Sequence, residues 1–300
     1  MKWALSANKV SLKEASGTDH LLLCLFHTNF IIGGEPVPLS PSIQAEQIYE
    51  DHVRVDLNRW ARRLLKRPGL LERTSKALQT KVNDKIIPKK VQAVITVTVK
   101  GLVQSVVFGL DFIPKSAPTY EISLQERDQL ARLLLVKYKR IAAAEGAGTG
   151  AGGFTLAIAD FPALIVIKMK FLFELAHIYG FSTQDYRERL FLLYIFQLAF
   201  SSQEKRPELF QVIVNWEKNL ESCPAKEGYL QQIDWDQFQK EYRDAIDFRK
   251  TLQLIPGLGT VVGAWANYGL VNDLGTVGMN CYRLRISGGV YFDKGHAARD

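Results

Sequence analysis

The chain has 300 residues, 47% of them apolar and 23% charged. That is ordinary for a folded protein and excludes global disorder, collagen-like repeats and a polytopic membrane protein. Its three cysteines, Cys24, Cys223 and Cys281, lie far apart with no CxxC, which excludes a disulfide scaffold and favours a reducing compartment. The net charge of +7 favours anionic partners without choosing between nucleic acid and lipid headgroups.

Residues 1–40 read as an N-terminal extension with little regular order. Their apolar run, Leu21 to Phe26, is short, follows Glu14 and Asp19, and is interrupted by His27 and Asn29. That pattern fits an add-on segment better than a signal peptide. Ser40-Pro41 then opens a helix to about Leu65, because proline suits a first turn where its missing N–H has no partner. Gly69 to Ile87 reads as a second, basic helix. Pro88 opens a third to about Leu110. Its Val91–Val99 stretch also alternates as a strand would, but no partner strands accompany it, so helix is preferred.

Ser123-Leu-Gln-Glu126 has capping-box spacing and starts a helix to about Ala144. The glycines 146, 148, 150, 152 and 153 are expected to break it. Asp160-Phe-Pro162 restarts a strongly apolar helix to Tyr179, with Asp160 as its cap, and Gly180 ends it. Ser182 to Asp185 starts another, to about Phe200. Further helices fit 205–220 and 234–251. A Gly/Ala-rich apolar segment follows Pro256 to about Tyr282, and residues 286–300 form a tail. The predicted fold is all-α: one multi-helix domain over 41–285 with two glycine-rich apolar central helices.

The charge is concentrated. Thirteen of the 38 Lys/Arg lie between Arg54 and Lys100, against only Asp56, Glu72 and Asp84. Within this stretch Arg59, Arg62, Arg63, Lys66 and Arg67 recur at helical spacing, beside Leu57, Trp60, Ala61, Leu64 and Leu65. A basic face next to Trp and Leu suits an anionic membrane surface, and a plain solvated helix face is the alternative. No helix-turn-helix, zinc-finger or RRM signature appears, so a nucleic-acid partner is not expected.

Other features are weaker. Gly148-Thr-Gly-Ala-Gly-Gly153 has the letters of GxGxxG, but a helix precedes it instead of a strand, so no nucleotide cofactor is expected. Gln253 to Asn272 carries no charge and holds the GxxxG pair Gly259/Gly263. A closely packed buried helix explains it better than a membrane span. In Gly146–Tyr179, Asp160, Lys168 and Lys170 oppose a stable span. The five histidines are scattered without metal-ligand spacing, and no GxSxG elbow occurs, so no catalytic residue, metal or cofactor is assigned. Asp160 is the carboxylate in the most unusual setting, and a helix cap is favoured there over a catalytic base.

Several pieces assemble in a fixed order. They are Trp60, Ile86-Ile-Pro-Lys89, the 146–153 glycines, Ala159-Asp-Phe-Pro162 and Ile178-Tyr-Gly-Phe181. Ile255-Pro-Gly-Leu-Gly-Thr-Val-Val-Gly-Ala-Trp-Ala-Asn267 and Tyr282-Arg-Leu-Arg285 complete the series. Over about residues 45–285 this resembles the EcsC family of bacterial proteins. The resemblance implies a mostly α fold and a bacterial, membrane-associated setting linked to an exporter locus and secretion. It supplies no catalytic residues. Gly150, Gly153, Asp160, Pro162, Gly259, Gly263 and Asn267 carry over as structural matches only. The expectation is a non-enzymatic protein, peripheral at the cytoplasmic face of the bacterial membrane, whose partner is an anionic surface or a membrane protein. A soluble module that takes an apolar ligand is the alternative, and an enzyme of unrecognised type the third.

Overall fold

The structure is a computed structural model. It describes residues 31–32, 35–36, 40–66, 97, 100–101, 103–106, 112–150, 161–220 and 259–288. The chain divides into two compact units, Met1–Ala45 and Glu46–Asp300. In the first, β1 (Ile31–Ile32) pairs antiparallel with β2 (Glu35–Pro36), Ile31 opposite Pro36 and Ile32 opposite Glu35. The described elements that follow are all helices: α1 (Pro41–Leu65), α2 (Leu124–Gly150), α3 (Phe161–Ile178), α4 (Tyr186–Phe200), α5 (Arg206–Val214), α6 (Trp216–Asn219) and α7 (Gly259–Ile286).

Each helix follows from its local sequence. In α1, Val53, Leu57, Trp60 and Ala61 form a buried stripe at helical spacing. The capping box of α2 forms as read: the Ser123 N–H donates to Glu126 Oε2 at 2.9 Å and the Glu126 N–H to Ser123 Oγ at 3.3 Å. α3 is buried on nearly all sides. It ends in a Schellman turn, with the Phe181 N–H donating to the Ala176 carbonyl, the Gly180 N–H to that of His177, and Gly180 at φ +88°. The Asp185 side chain caps α4 by accepting the Arg187 N–H at 2.9 Å. α7 packs against α2, α3, α4 and α5, so it lies at the centre of the described helices.

Several boundaries differ from the sequence reading. The glycines after Ala144 do not break the chain there; α2 continues as helix to Gly150. Glycine costs a helix about 1 kcal/mol relative to alanine, a penalty that packing along α7 outweighs. The apolar helix α3 itself contains no glycine. The segment 205–220 is two helices, because Asn215 turns back and donates through Nδ2 to the Gln211 carbonyl at 2.9 Å. Residues 97, 100–101 and 103–106 are helical, and the rest of the ambiguous Val91–Val99 stretch lies outside the described residues. The basic helix over 69–87, the helix over 234–251 and most of residues 1–40 lie outside the described residues.

α2 and α7 run antiparallel in a readable register. Asp128 meets Arg283, Leu135 meets Gly275, Lys139 meets Asn272 and Glu145 meets Asn267. A Cβ on Gly275 would collide with Leu135 Cδ1, and one on Gly278 would stand 2.8 Å from Leu175 Cδ2. These two positions are glycine because Leu135 and Leu175 occupy the space a side chain would need.

Candidate functional site

The polar chemistry of the described core gathers at the last two turns of α7. Asp128 of α2 is fully buried. It accepts hydrogen bonds from Tyr49 Oη at 2.6 Å and Tyr179 Oη at 2.5 Å, and pairs with Arg283 Nη2 at 2.8 Å. One carboxylate thereby joins α1, α2, the end of α3 and α7. Burial, then Asp128, pushes both tyrosine hydroxyls above their ordinary value. Burial alone would lower the Arg283 guanidinium, but the hydrogen bonds and charge of Asp128 hold it above its usual range.

One turn on, Glu188 of α4 accepts from Tyr282 Oη at 2.6 Å and from Arg285 Nη1 at 2.7 Å. Arg285 also reaches Glu217 at 2.7 Å. Its guanidinium carbon lies 3.9 Å from the Phe181 ring centre and 4.4 Å from that of Phe191. The Tyr282-Arg-Leu-Arg285 piece is therefore a locking segment. Three of its four side chains fasten α7 to α2 and α4. Both carboxylates are saturated by donors, and an acid whose oxygens are all engaged is a structural anchor, not a free base.

A second polar cluster sits where α3 ends. His177 Nδ1 lies 2.9 Å from the Ser116 carbonyl and Nε2 lies 2.9 Å from Thr183 Oγ1. A carbonyl only accepts, so Nδ1 carries the proton and Nε2 accepts. Burial lowers the His177 pKa below its ordinary 6.5, with the Ser116 bond opposing. Below about 6.5 the unfolded chain binds a proton that the folded chain refuses. Stability should therefore fall as pH drops from that value to the lower folded value, and level off outside this window. Denaturant midpoints taken from about pH 7.5 to about pH 5 should show this slope, and a His177→Asn variant should lose part of it. An unchanged slope in the variant would assign the pH dependence to other groups.

The predicted basic face is only partly as expected. Trp60 does not share it: the ring is 8% exposed and packs edge-on against Phe210 at 5.9 Å. Its spacing from Val53 and Leu57 puts it on the buried stripe. Arg59 is exposed and paired with Asp56 at 2.8 Å. Arg62, Arg63 and Lys66 are exposed and form no ion pair among the described residues. Arg67, Gly153 and Asp160 lie outside the described residues. Gly150 closes α2, Pro162 lies in the first turn of α3, and Gly259 and Gly263 lie in the first turns of α7. Asn267 is buried and donates through Nδ2 to Glu145 Oε2 at 2.9 Å.

Asp128 and Glu188 went unread in the sequence. The available signal was position: Asp128 falls on the same helical stripe as Leu124, Ala131, Leu135 and Tyr138, where a carboxylate has no business unless it is paired. Among the described residues no group of three or more His, Cys, Asp or Glu is arranged to hold a metal. Cys281 is buried, and burial pushes its thiol up, so it is an unreactive core side chain. No helix among the described residues is long and apolar enough to cross a membrane.

A helical domain whose helix α7 is fastened to its neighbours by carboxylate–arginine anchors is the class of protein that the described residues define. The chain belongs to the EcsC protein family, which matches residues 51–286. Protein EcsC of Bacillus subtilis (strain 168) is 48% identical over 227 residues, covering 76% of this chain and 92% of that protein. Uncharacterized protein YdbA of the same strain is 31% identical over 160 residues, covering 53% of this chain and 57% of that protein. No solved structure matches.

Proposed function

We propose that this chain is a non-enzymatic protein held peripherally at the inner face of a bacterial membrane, on anionic headgroups or beside a membrane protein. The observation that carries this reading is the end of α1, where Arg62, Arg63 and Lys66 are exposed with no ion pair among the described residues. Cations clustered on a surface are attracted to an anionic leaflet within a Debye length. The sequence continues basic beyond them, from Arg67 to Lys100.

The glycine pattern supports a domain that loosens at one end. Carrying the α2–α7 register past Glu145 and Asn267 sets residues 148–150 opposite residues 261–264, beside Gly263. Glycine at 148, 150 and 263 permits close backbone approach of two helices. Around Gly278 the α3–α7 interface is filled by the protein's own side chains. Leu172, Leu175 and Ile195 all stand within 4 Å of a Cβ built at Gly278. That filling favours the membrane reading over an internal apolar ligand.

The test is co-sedimentation of the full chain with vesicles of equal parts phosphatidylglycerol and phosphatidylcholine. Binding should weaken steeply with salt, because the attraction is screened. Changing Arg59, Arg62, Arg63 and Lys66 together to Gln should weaken it at least about tenfold. Binding that ignores both salt and the four substitutions would remove the role of α1.

A further inference from the structure

The outward face of α2 is built differently from that of α1. From Gln129 to Ala144 there is no Asp or Glu, while Arg132, Lys137, Lys139 and Arg140 are all present. Four large apolar side chains in the same stretch point to solvent: Leu133 is 68% exposed, and Leu130, Val136 and Ile141 are 41–43% exposed. Leu133, Val136 and Arg140 follow one another at i, i+3 and i+7, with Leu130, Lys137 and Ile141 beside them, so they share one face. The opposite face, with Ala131, Leu134, Tyr138 and Ala142, is buried.

α7 extends this surface. Lys139 Nζ bonds Asn272 Oδ1 at 3.0 Å and lies 4.3 Å from the centre of the Tyr268 ring, which joins the two helices along one edge. On that edge Tyr268 is 43% and Trp265 61% exposed. Single exposed apolar residues are ordinary, but four on one helix face with two aromatics adjoining are not.

We infer that the outward face of α2, with Trp265 and Tyr268 of α7, is the surface that enters the headgroup region of an anionic bilayer. This rests on the membrane reading above and names the part of the molecule that touches lipid. Charge decides the occupant. Arg132 and Arg140 have no ion pair among the described residues, and long cationic side chains extend to phosphates while aliphatic neighbours enter the acyl boundary. Trp and Tyr suit that boundary because they carry an apolar body and a polar tip. A two-fold partner copy would set the same arginines against their own mates. A nucleic acid would leave Leu133 and Val136 without use.

The experiment uses the full chain and the same phosphatidylglycerol/phosphatidylcholine vesicles. Leu133→Gln with Val136→Gln should lower binding about tenfold or more, with an unchanged thermal midpoint. In vesicles carrying brominated acyl chains, tryptophan fluorescence should be quenched, and Trp265→Phe should remove that quenching. If the double Gln variant binds as wild type, or if quenching survives Trp265→Phe, the inference fails while the membrane reading stands. If the wild-type chain does not bind the vesicles, the membrane reading fails and takes this inference with it. A several-degree fall in the midpoint of the double variant would show that the chain itself covers this face. Sedimentation equilibrium showing a wild-type dimer that the variant dissociates would give the face to a second copy. Either result overturns the proposal.

Discussion

Replacing Asp128 by alanine should destabilise the folded domain by about 3–5 kcal/mol, the usual consequence of removing one partner from a buried ion pair. The substitution strands three donors at once. Arg283, whose side chain is 13% exposed, keeps its charge without a counterion. Tyr49 and Tyr179 lose the acceptor for hydroxyls that burial has already made hard to ionise. Asp128→Asn keeps the shape but turns an amide N–H₂ towards donors, so it should restore only part of the loss.

The informative variant is the double one. Asp128→Leu with Arg283→Met replaces the pair with apolar side chains of similar reach, and such replacements are often neutral or better. The double variant should be more stable than Asp128→Leu alone, and denaturant midpoints would give the coupling directly. Strict additivity of the two single effects would show that the pair contributes nothing as a pair. Because Tyr49 brings α1 into the cluster, Asp128→Ala should also raise amide exchange in α1 before it does so in α4.

What the sequence revealed was what is local. The Ser123–Glu126 box and the Gly180 stop each depend on residues within six positions of one another, and each formed as read. Asp128 and Glu188 could not be read that way, because their arginines stand 155 and 97 residues further along the chain. Tyr282-Arg-Leu-Arg285 was visible as a pattern, yet its meaning depends on carboxylates that only the fold brings to it.

Trp60 failed for the opposite reason. Its basic neighbours drew attention to the surface, while its spacing from Val53 and Leu57 already placed it inside. The glycines at 146 and 148 were read by intrinsic propensity, and tertiary packing along α7 overrode it. The exposed face of α2 was legible in principle. Sixteen residues without an acid, carrying four cations and four outward aliphatics, form a stronger interfacial pattern than the basic stretch of α1.

Gly180→Ala should cost about 2–4 kcal/mol, from two separable sources. The backbone at Gly180 has φ +88°, where an L side chain loses about 1–2 kcal/mol. A Cβ would also stand 2.6 Å from Arg127 Nη1 and 3.0 Å from the Thr119 carbonyl oxygen. Arg127 cannot simply swing away. It donates to the carbonyls of Thr119, Tyr120, Ile122 and Ile178, at 2.7, 2.8, 3.2 and 3.1 Å, and so ties the 119–122 loop to the end of α3. Charge-assisted bonds of this kind contribute about 1.5–3 kcal/mol each when lost from a buried site, and partial retention brings the total into the stated range. Gly180→Asn separates the two sources, because asparagine tolerates the left-handed backbone but still carries a Cβ. It should recover the conformational part alone. In an Arg127→Ala background the collision with the guanidinium disappears, and Gly180→Ala should then cost less, leaving the backbone share and the contact with the Thr119 carbonyl. Equal costs in both backgrounds would mean that Arg127 yields freely, and the loop would not depend on it.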